Sequence, residues 1–226
     1  MPLKLINDSD TQVNLVVDGK VAEIRVDPNG VDGVVYNFKI LYHASVNRTW
    51  GNTFYHGIPI WQTPTDLWVY QELIYDQKPD LIIETGTGFG ACGLYFAHIM
   101  DNLDIEGKIL TIDTEAYKKP FHRRISYLKG KSIDHKILKK VAAEVKISNR
   151  AMFFLDSSHA MDYVYAEIKD YAQFVRPEEY LVVEDTNTKG CFVACMRFLD
   201  ENKNFEADPA CEKFYLTFNK FLRRVK

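Results

Sequence analysis

The chain of 226 residues lacks several features by which special classes of protein are recognised. No apolar run approaches the roughly 20 residues needed to span a bilayer, and the N-terminus has no apolar core typical of a secretory signal. The net charge of −3 gives no electrostatic case for binding nucleic acid or an anionic membrane surface. Repeats and low-complexity segments are also missing. We therefore expect a cytoplasmic protein that binds neither nucleic acid nor membrane.

Cysteine is scarce, and its spacing excludes two common frameworks. The four cysteines form no CxxC pair and fit neither a zinc site nor a disulfide framework. We interpret them as small packing residues in a reducing compartment. The content of 46% hydrophobic and 26% charged residues is ordinary for a globular domain with a real core.

A glycine-rich stretch, Asp80–Gly93, is the most informative feature that the sequence does contain. An apolar run ends there at Glu84 and leads directly into alternating glycines at Gly86, Gly88 and Gly90. Glycine lets a backbone approach a ligand closely, and the first turn of a following helix offers unpaired N–H groups. A buried strand that leads through such a turn into a helix predicts a nucleotide-like ligand in an open α/β sheet.

Strands and helices alternate from Asp80 to about residue 200. The predicted strands cover residues 80–84, 108–113, 124–128, 151–156 and 180–185. The predicted helices cover residues 66–77, 90–102, 133–146, 160–174 and 191–202. This alternation predicts an α/β fold with a doubly wound, mostly parallel, Rossmann-like sheet. Two later apolar runs, Phe214–Phe218 and Phe221–Val225, predict an antiparallel C-terminal hairpin at one edge of that sheet.

The first part of the chain predicts an N-terminal appendage over residues 1–49, separate from a main domain over residues 50–226. Asp18-Gly19 between two β-branched runs predicts a β-hairpin, and residues 34–46 are interpreted as a helix. The appendage offers a packing surface, so we expect a homo-oligomer. The aromatic segment Trp50–Pro64 either packs on the core as an ordinary loop or forms a wall or lid over the ligand.

Two cofactors compete for the glycine turn. Gly88–Gly93 matches GxGxxG, the dinucleotide fingerprint, and Asp113 follows at the end of the next strand. However, Glu84 would repel a pyrophosphate, whereas its carboxylate suits the ammonium group of S-adenosylmethionine (SAM). Asp113 can accept hydrogen bonds from ribose hydroxyls in either case, and Ser132 lies where an adenine contact is expected for SAM. The residues favour SAM and leave a nicotinamide cofactor as the alternative.

Acidic residues also end two later strands. Asp156 follows one buried run, and Glu184 and Asp185 follow the next. Because parallel strands bring their C-terminal ends to one edge of the sheet, these carboxylates would repel one another unless a cation joined them. Oxygen ligands of this kind suit Mg²⁺, Ca²⁺ or Mn²⁺. Capping of the next helix is the simpler alternative.

His159 follows Asp156 by three residues and is the candidate catalytic residue. An imidazole is a suitable general base at neutral pH, so His159 could accept the proton of a substrate hydroxyl held by the metal. The predicted cofactor-binding residues are Glu84, Gly86, Thr87, Gly88, Asp113, Ser132 and Asp156.

These motifs carry a family resemblance. The run Gly57–Gly90, with FFLDSSH and LVVEDTN further on, resembles the cephalosporin hydroxylase family, a SAM-binding, methyltransferase-like group. The likeness covers roughly residues 50–226 and includes KFYLTFNKFLRR near the C-terminus. The resemblance implies a class I methyltransferase fold with a divalent-metal site, and related metal-dependent macrolide-sugar O-methyltransferases have a histidine base where this chain has His159. The positions that match metal ligands or SAM-binding residues are Asp156, Glu184, Asp185, Glu84, Gly86 and Asp113.

The resulting hypothesis is an O-methyltransferase that depends on SAM and on Mg²⁺ or another hard divalent cation. Its acceptor would be the hydroxyl of a small molecule such as a sugar, a phenol or a secondary metabolite. Two alternatives stay open: a non-catalytic SAM-binding partner subunit of a biosynthetic enzyme, and a nicotinamide-dependent oxidoreductase.

Overall fold

A computed structural model describes residues 4–9, 12–17, 20–25, 42, 49–212 and 220–226. The chain divides into two compact units, Met1–Asn52 and Thr53–Lys226. Within these ranges, no helix combines the length and the apolar character that crossing a membrane requires.

The N-terminal unit contains a three-stranded antiparallel sheet. Its strands are β1 (Lys4–Ser9), β2 (Gln12–Val17) and β3 (Lys20–Arg25). Strands β2 and β3 pair in continuous antiparallel register, which confirms the predicted hairpin, while β1 is a strand that the sequence pattern did not predict. The predicted helix over residues 34–46 lies, except for Tyr42, outside the described residues.

The larger unit has the alternating strands and helices that the sequence predicts. Its strands are β4 (Phe54–Tyr55), β5 (Ile58–Pro59), β6 (Leu81–Thr85), β7 (Lys108–Asp113), β8 (Ile125–Lys129), β9 (Ala151–Leu155), β10 (Tyr180–Val183), β11 (Phe205–Ala207) and β12 (Phe221–Arg224). Its helices are α1 (Pro64–Gln77), α2 (Ala91–Asn102), α3 (His135–Ile147), α4 (Met161–Ala172) and α5 (Lys189–Glu201). The α/β fold class is therefore confirmed, with each predicted boundary close to the observed one.

A seven-stranded sheet runs through this unit in the order β11-β12-β10-β9-β6-β7-β8. Strands β10, β9, β6, β7 and β8 pair in parallel, so their C-terminal ends share one edge. Every residue of β6, β9 and β10 is buried because helices cover both faces. Leu81 and Ile83 contribute to the core beneath α3, α4 and α5, whereas Ile82 contributes to the core beneath α1 and α2.

The C-terminal strands are antiparallel as predicted, but their pairing differs from the predicted hairpin. β12 lies between β10 and β11 and is antiparallel to both, so the edge strand is β11. The predicted partner, Phe214–Phe218, lies outside the described residues. With only three residues, β11 is too short to produce a recognisable alternating pattern.

Candidate active site

The glycine turn after β6 is shaped by close packing against the end of β9. Gly86 has a φ of 81°, and a Cβ added there would lie 1.8 Å from the carbonyl oxygen of Asp156. Gly88 also has a positive φ, 50°, but a Cβ there would meet nothing within 4 Å. The first glycine is therefore required by packing, whereas the second leaves open space beside the backbone, which a ligand could fill.

Asp113, at the end of β7, fixes this turn. One of its carboxylate oxygens accepts a hydrogen bond from the backbone N–H of Gly88 at 2.8 Å. The other accepts from the backbone N–H of Glu115 at 2.9 Å. Beneath them, the hydroxyls of Thr87 and Thr111 are 2.6 Å apart. The turn is therefore held from the neighbouring strand in a defined conformation.

A small cavity of about 60 Å³, open to solvent, lies beside the turn. Four predicted cofactor-binding residues line it, and Trp61 and Gln62 of the aromatic segment form part of its wall. The four are Gly86, Thr87, Gly88 and Asp156. The aromatic segment thus contributes a wall of the cavity, which is one of the two roles considered from sequence.

Glu84 has a different environment from these four residues and is not among the described residues that line the cavity. Its side chain is buried and accepts a hydrogen bond from the Thr111 hydroxyl. Burial raises the pKa of Glu84 from 4.5 to about 7, against the opposing effect of hydrogen bonds from Thr111 and Cys92. The structure therefore places this acid beneath the glycine turn.

The raised pKa of Glu84 predicts a pH-dependent loss of stability. Between 4.5 and about 7, the folded protein keeps a proton that the unfolded chain has released, so the free energy of unfolding falls as pH rises. Glu84→Gln imitates the protonated form, and we expect its stability advantage over the wild type to grow by about 3 kcal/mol between pH 4.5 and pH 8. Urea unfolding of the cofactor-free protein measures this difference. The control is Glu106→Gln, at an exposed position. A stability difference from the wild type that does not change with pH for either variant would contradict the expectation.

Ser132 also lies away from the described cavity lining. It is buried, and its hydroxyl is 2.9 Å from the Tyr163 hydroxyl of α4. Its carbonyl oxygen accepts a hydrogen bond from the Tyr171 hydroxyl at 3.1 Å. Ser132 therefore joins the loop after β8 to helix α4, and a direct contact with an adenine ring stays a prediction.

Two of the predicted carboxylates come together with the predicted base. Asp156, His159 and Asp185 each offer a ligand atom, and these atoms all lie within 4.8 Å of one another. His159 Nε2 is 2.7 Å from Asp185 Oδ2, and the Gln62 amide donates to Asp156 Oδ2 at 3.0 Å. Burial, followed by the neighbouring Glu184 and Asp185, raises the pKa of Asp156 well above its ordinary value. A cation would relieve this repulsion.

Two backbone features hold this cluster in place. Asp185 has a left-handed φ of 54°, which is uncommon for a residue with a side chain. Gly190, in the first turn of α5, packs so closely that an added Cβ would lie 2.1 Å from the carbonyl oxygen of His159. The loop that carries His159 is therefore pressed against the start of the helix that follows Asp185.

Glu184 has partners of its own behind this cluster. Its Oε2 lies 2.5 Å from the buried Lys220 ammonium, and its Oε1 accepts from the Tyr70 hydroxyl. Lys220 also contacts Asp66 Oδ2 at 2.7 Å. Although burial lowers the pKa of Lys220, these two carboxylates outweigh it and raise the pKa. The structure therefore places Glu184 in a network with Lys220 and Tyr70, whereas His159 lies in a cluster with Asp156 and Asp185.

Sequence reasoning did not identify Gln62, Tyr70 or Lys220. Lys220 is one of several basic residues near the C-terminus, and nothing in the pattern signals that it is fully buried. Gln62 lies in the aromatic segment, where an amide is usually a surface group. Only the assembled sheet shows that both contact the acids at strand ends.

Residues 47–225 match the family model described as Rhamnosyl O-methyltransferase/CmcI. A rhamnosyl O-methyltransferase from Mycobacterium tuberculosis is 33% identical over 164 residues, which cover 70% of this chain and 66% of that protein. The protein of the same name from Mycobacterium leprae is 31% identical over 163 residues, which cover 70% of each chain.

Solved structures show the same fold at lower identity. A structure of CmcI with Mg and SAM has a TM-score of 0.62 and 16% identity, and the match covers 77% of both chains. A structure of MycE, a methyltransferase of the mycinamycin biosynthetic pathway, contains Mg, S-adenosylhomocysteine (SAH) and mycinamycin VI. It has a TM-score of 0.52 and 16% identity, with 74% of this chain and 50% of that chain covered.

Proposed function

Because the chain belongs to the Rhamnosyl O-methyltransferase/CmcI family, we propose that it is a SAM-dependent O-methyltransferase that acts on a sugar hydroxyl with the help of a divalent cation. The names of its relatives support a sugar as the acceptor. The CmcI and MycE complexes support SAM as the methyl donor and Mg²⁺ as the cation.

The position of Asp156 is the observation that carries this proposal. Asp156 lines the cavity beside the glycine turn and also belongs to the cluster with His159 and Asp185. One residue therefore borders both the place proposed for the methyl donor and the place proposed for the acceptor hydroxyl. Methyl transfer requires the two reactants to be held next to each other in this way.

The residues present fit both cofactors. The carboxylates of Asp156 and Asp185 are oxygen donors that suit a hard divalent cation, with the His159 imidazole beside them as a base, and the backbone at Gly88 leaves open space next to the turn. When bound, SAM supplies an activated methyl group, and the cation supplies positive charge that lowers the pKa of a neighbouring hydroxyl.

Each side chain then has a distinct role in the proposed reaction. Asp156 and Asp185 hold the cation, and the Gln62 amide orients Asp156. His159, whose side chain is 60% exposed, accepts the proton of the acceptor hydroxyl. Glu184 stays a predicted third ligand, and it would have to share with the cation an oxygen that now contacts Lys220 or Tyr70.

Methyl transfer from labelled SAM to a panel of rhamnosides, other glycosides and catechols tests the proposal. We expect transfer to a glycoside that needs Mg²⁺ and stops with EDTA. His159→Gln should lower kcat by roughly 10²–10⁴-fold, because the amide of glutamine cannot accept the proton. His135→Gln, a change at an exposed histidine at the start of α3, is the matched control and should keep wild-type activity.

Other results would favour the alternatives. SAH binding without turnover on any acceptor would support the non-catalytic partner subunit. A melting temperature raised by NAD and unchanged by SAH would support the oxidoreductase and contradict the methyltransferase.

A further inference from the structure

Glu167 is a buried carboxylate on the inner face of α4, and none of the predicted roles uses it. It is 1% exposed and shares its face of the helix with the core residues Val164, Ile168 and Tyr171. A glutamate at such a position is uncommon, because ionised side chains are almost never fully buried unless they are paired. Its environment therefore needs a physical explanation.

Three hydroxyl groups surround the carboxyl group of Glu167. Ser157 Oγ donates to Glu167 Oε1 at 2.8 Å. The hydroxyls of Thr85 and Ser132 also lie close enough to favour the charged form of this carboxyl group and so to lower its pKa. These three residues lie at or just after the ends of three different strands, β6, β8 and β9. Glu167 thus lies where three loops on the ligand-binding edge meet.

Each of these hydroxyls lies at or beside a residue of the proposed cofactor site. Thr85 precedes Gly86, Ser157 follows Asp156, and Ser132 is itself a predicted cofactor residue. The backbone N–H of Asp156 donates to Thr85 Oγ1 at 3.3 Å, so a hydroxyl held by Glu167 also holds the start of the Asp156 loop. Since Gly86 packs directly on the Asp156 carbonyl, a shift of either loop would change the cavity.

Burial is the largest influence on the charge state of Glu167. Burial raises its pKa, and the three hydroxyls only partly offset that effect. An ionised carboxylate that is buried with only hydroxyl groups to offset its burial reduces the free energy of unfolding. A residue that destabilises the fold and contacts the loops after β6, β8 and β9 is best explained by a role in ligand binding.

We propose that Glu167 is a positioning residue for the cofactor pocket, which draws the loops after β6, β8 and β9 together through Thr85, Ser132 and Ser157. This inference rests on the proposed SAM-dependent function and assigns no direct contact between Glu167 and the cofactor. It accounts for a buried acid on a helix that otherwise presents apolar side chains to the core.

The experiment compares SAH affinity with stability in the full-length chain. Glu167→Gln keeps the shape but replaces an acceptor oxygen with an NH₂ donor, so at least one hydroxyl must turn away. We expect SAH binding measured by calorimetry at pH 8 to weaken on the order of tenfold. The melting temperature of the ligand-free variant should stay the same or rise, because the buried charge has been removed. A residue with a merely structural role would lower the melting temperature and leave SAH affinity unchanged.

Glu179 provides a matched control at the opposite end of the sheet. It is a buried glutamate that accepts from the backbone N–H groups of Ala151 and Arg176 at 2.9 and 2.7 Å. Glu179→Gln should lower the melting temperature by roughly 3–6 °C and leave SAH affinity unchanged.

The outcomes separate this inference from the proposed function. A wild-type protein that binds no SAH would contradict both. A wild-type protein that binds SAH and a Glu167→Gln variant that binds it equally well would overturn the role of Glu167 alone. If Glu167→Gln does not fold, Ser157→Ala provides the test, since it removes the hydroxyl that donates to Glu167 at 2.8 Å. Unchanged SAH affinity of that variant would also overturn the role.

Discussion

Asp156→Asn is expected to abolish divalent-cation binding and to lower methyl transfer on the order of 10³-fold, because the loss of several kcal/mol of charge stabilisation has that effect on a rate. The amide keeps the shape of the side chain and its contact with Gln62 but removes the negative charge. Asp156 is also the residue that borders both the cavity and the cluster with His159. The loss should therefore appear in cation binding and in kcat together. Calorimetric titration with Mn²⁺ and a labelled-SAM assay measure the two quantities.

Stability provides a separate check on Asp156. Since burial and neighbouring acids raise the pKa of its carboxyl group, the Asn variant should unfold at the same or a higher temperature in the absence of a cation. The control is Asp200→Asn, on α5, whose side chain forms an exposed ion pair with Lys203. This variant should change neither cation binding nor activity. Full activity of Asp156→Asn in the presence of EDTA would refute the role of the cation.

Gly86→Ala is expected to destabilise the protein by roughly 3–5 kcal/mol, through overpacking and a left-handed φ that alanine disfavours. The added methyl group would lie 1.8 Å from the Asp156 carbonyl oxygen, so the two strand ends must move apart. SAH binding should be lost in whatever fraction still folds. Chemical unfolding and calorimetry provide the measurements.

Gly88→Ala is the matched substitution two residues away. Its φ of 50° is also positive, but the new methyl group would meet no protein atom within 4 Å. We expect a loss of only about 1 kcal/mol in stability, since the backbone conformation alone is disfavoured. SAH affinity should nevertheless fall, because the methyl group occupies the open side of the turn. Equal destabilisation by the two substitutions would mean that packing against Asp156 is not what requires Gly86.

The sequence was sufficient to predict most of the larger unit. Its five parallel strands and the helices between them follow from buried β-branched runs and amphipathic segments, which act locally. The meeting of Asp156 with Asp185 was also predictable, because parallel strands deliver their ends to one edge. These features follow from local patterns together with the geometry of a parallel sheet.

The features that were not predicted depend on contacts between distant segments. Lys220 and Glu184 are 36 positions apart, and Lys220 and Asp66 are 154 apart. No spacing rule indicates that such side chains meet. The burial of Glu84 beneath the turn was missed for a related reason, since the residue at a strand end can point toward the ligand or toward the core. The partners of Glu184 and the role of Glu167 likewise emerge only from the packed sheet.

The insertion of β12 between β10 and β11 has a consequence for the order in which the protein can mature during synthesis. Lys220 immediately precedes β12, and its carbonyl oxygen accepts a hydrogen bond from the backbone N–H of Val183. A ribosome therefore produces Asp66, Glu184 and the edge strand before the ammonium group that neutralises the two acids. Until β12 pairs with β10 and β11, the nascent domain contains Asp66 and Glu184 without their counterion. A chain released after truncation between residues 212 and 220 should therefore contain all five parallel strands but lack the ammonium group that neutralises Asp66 and Glu184.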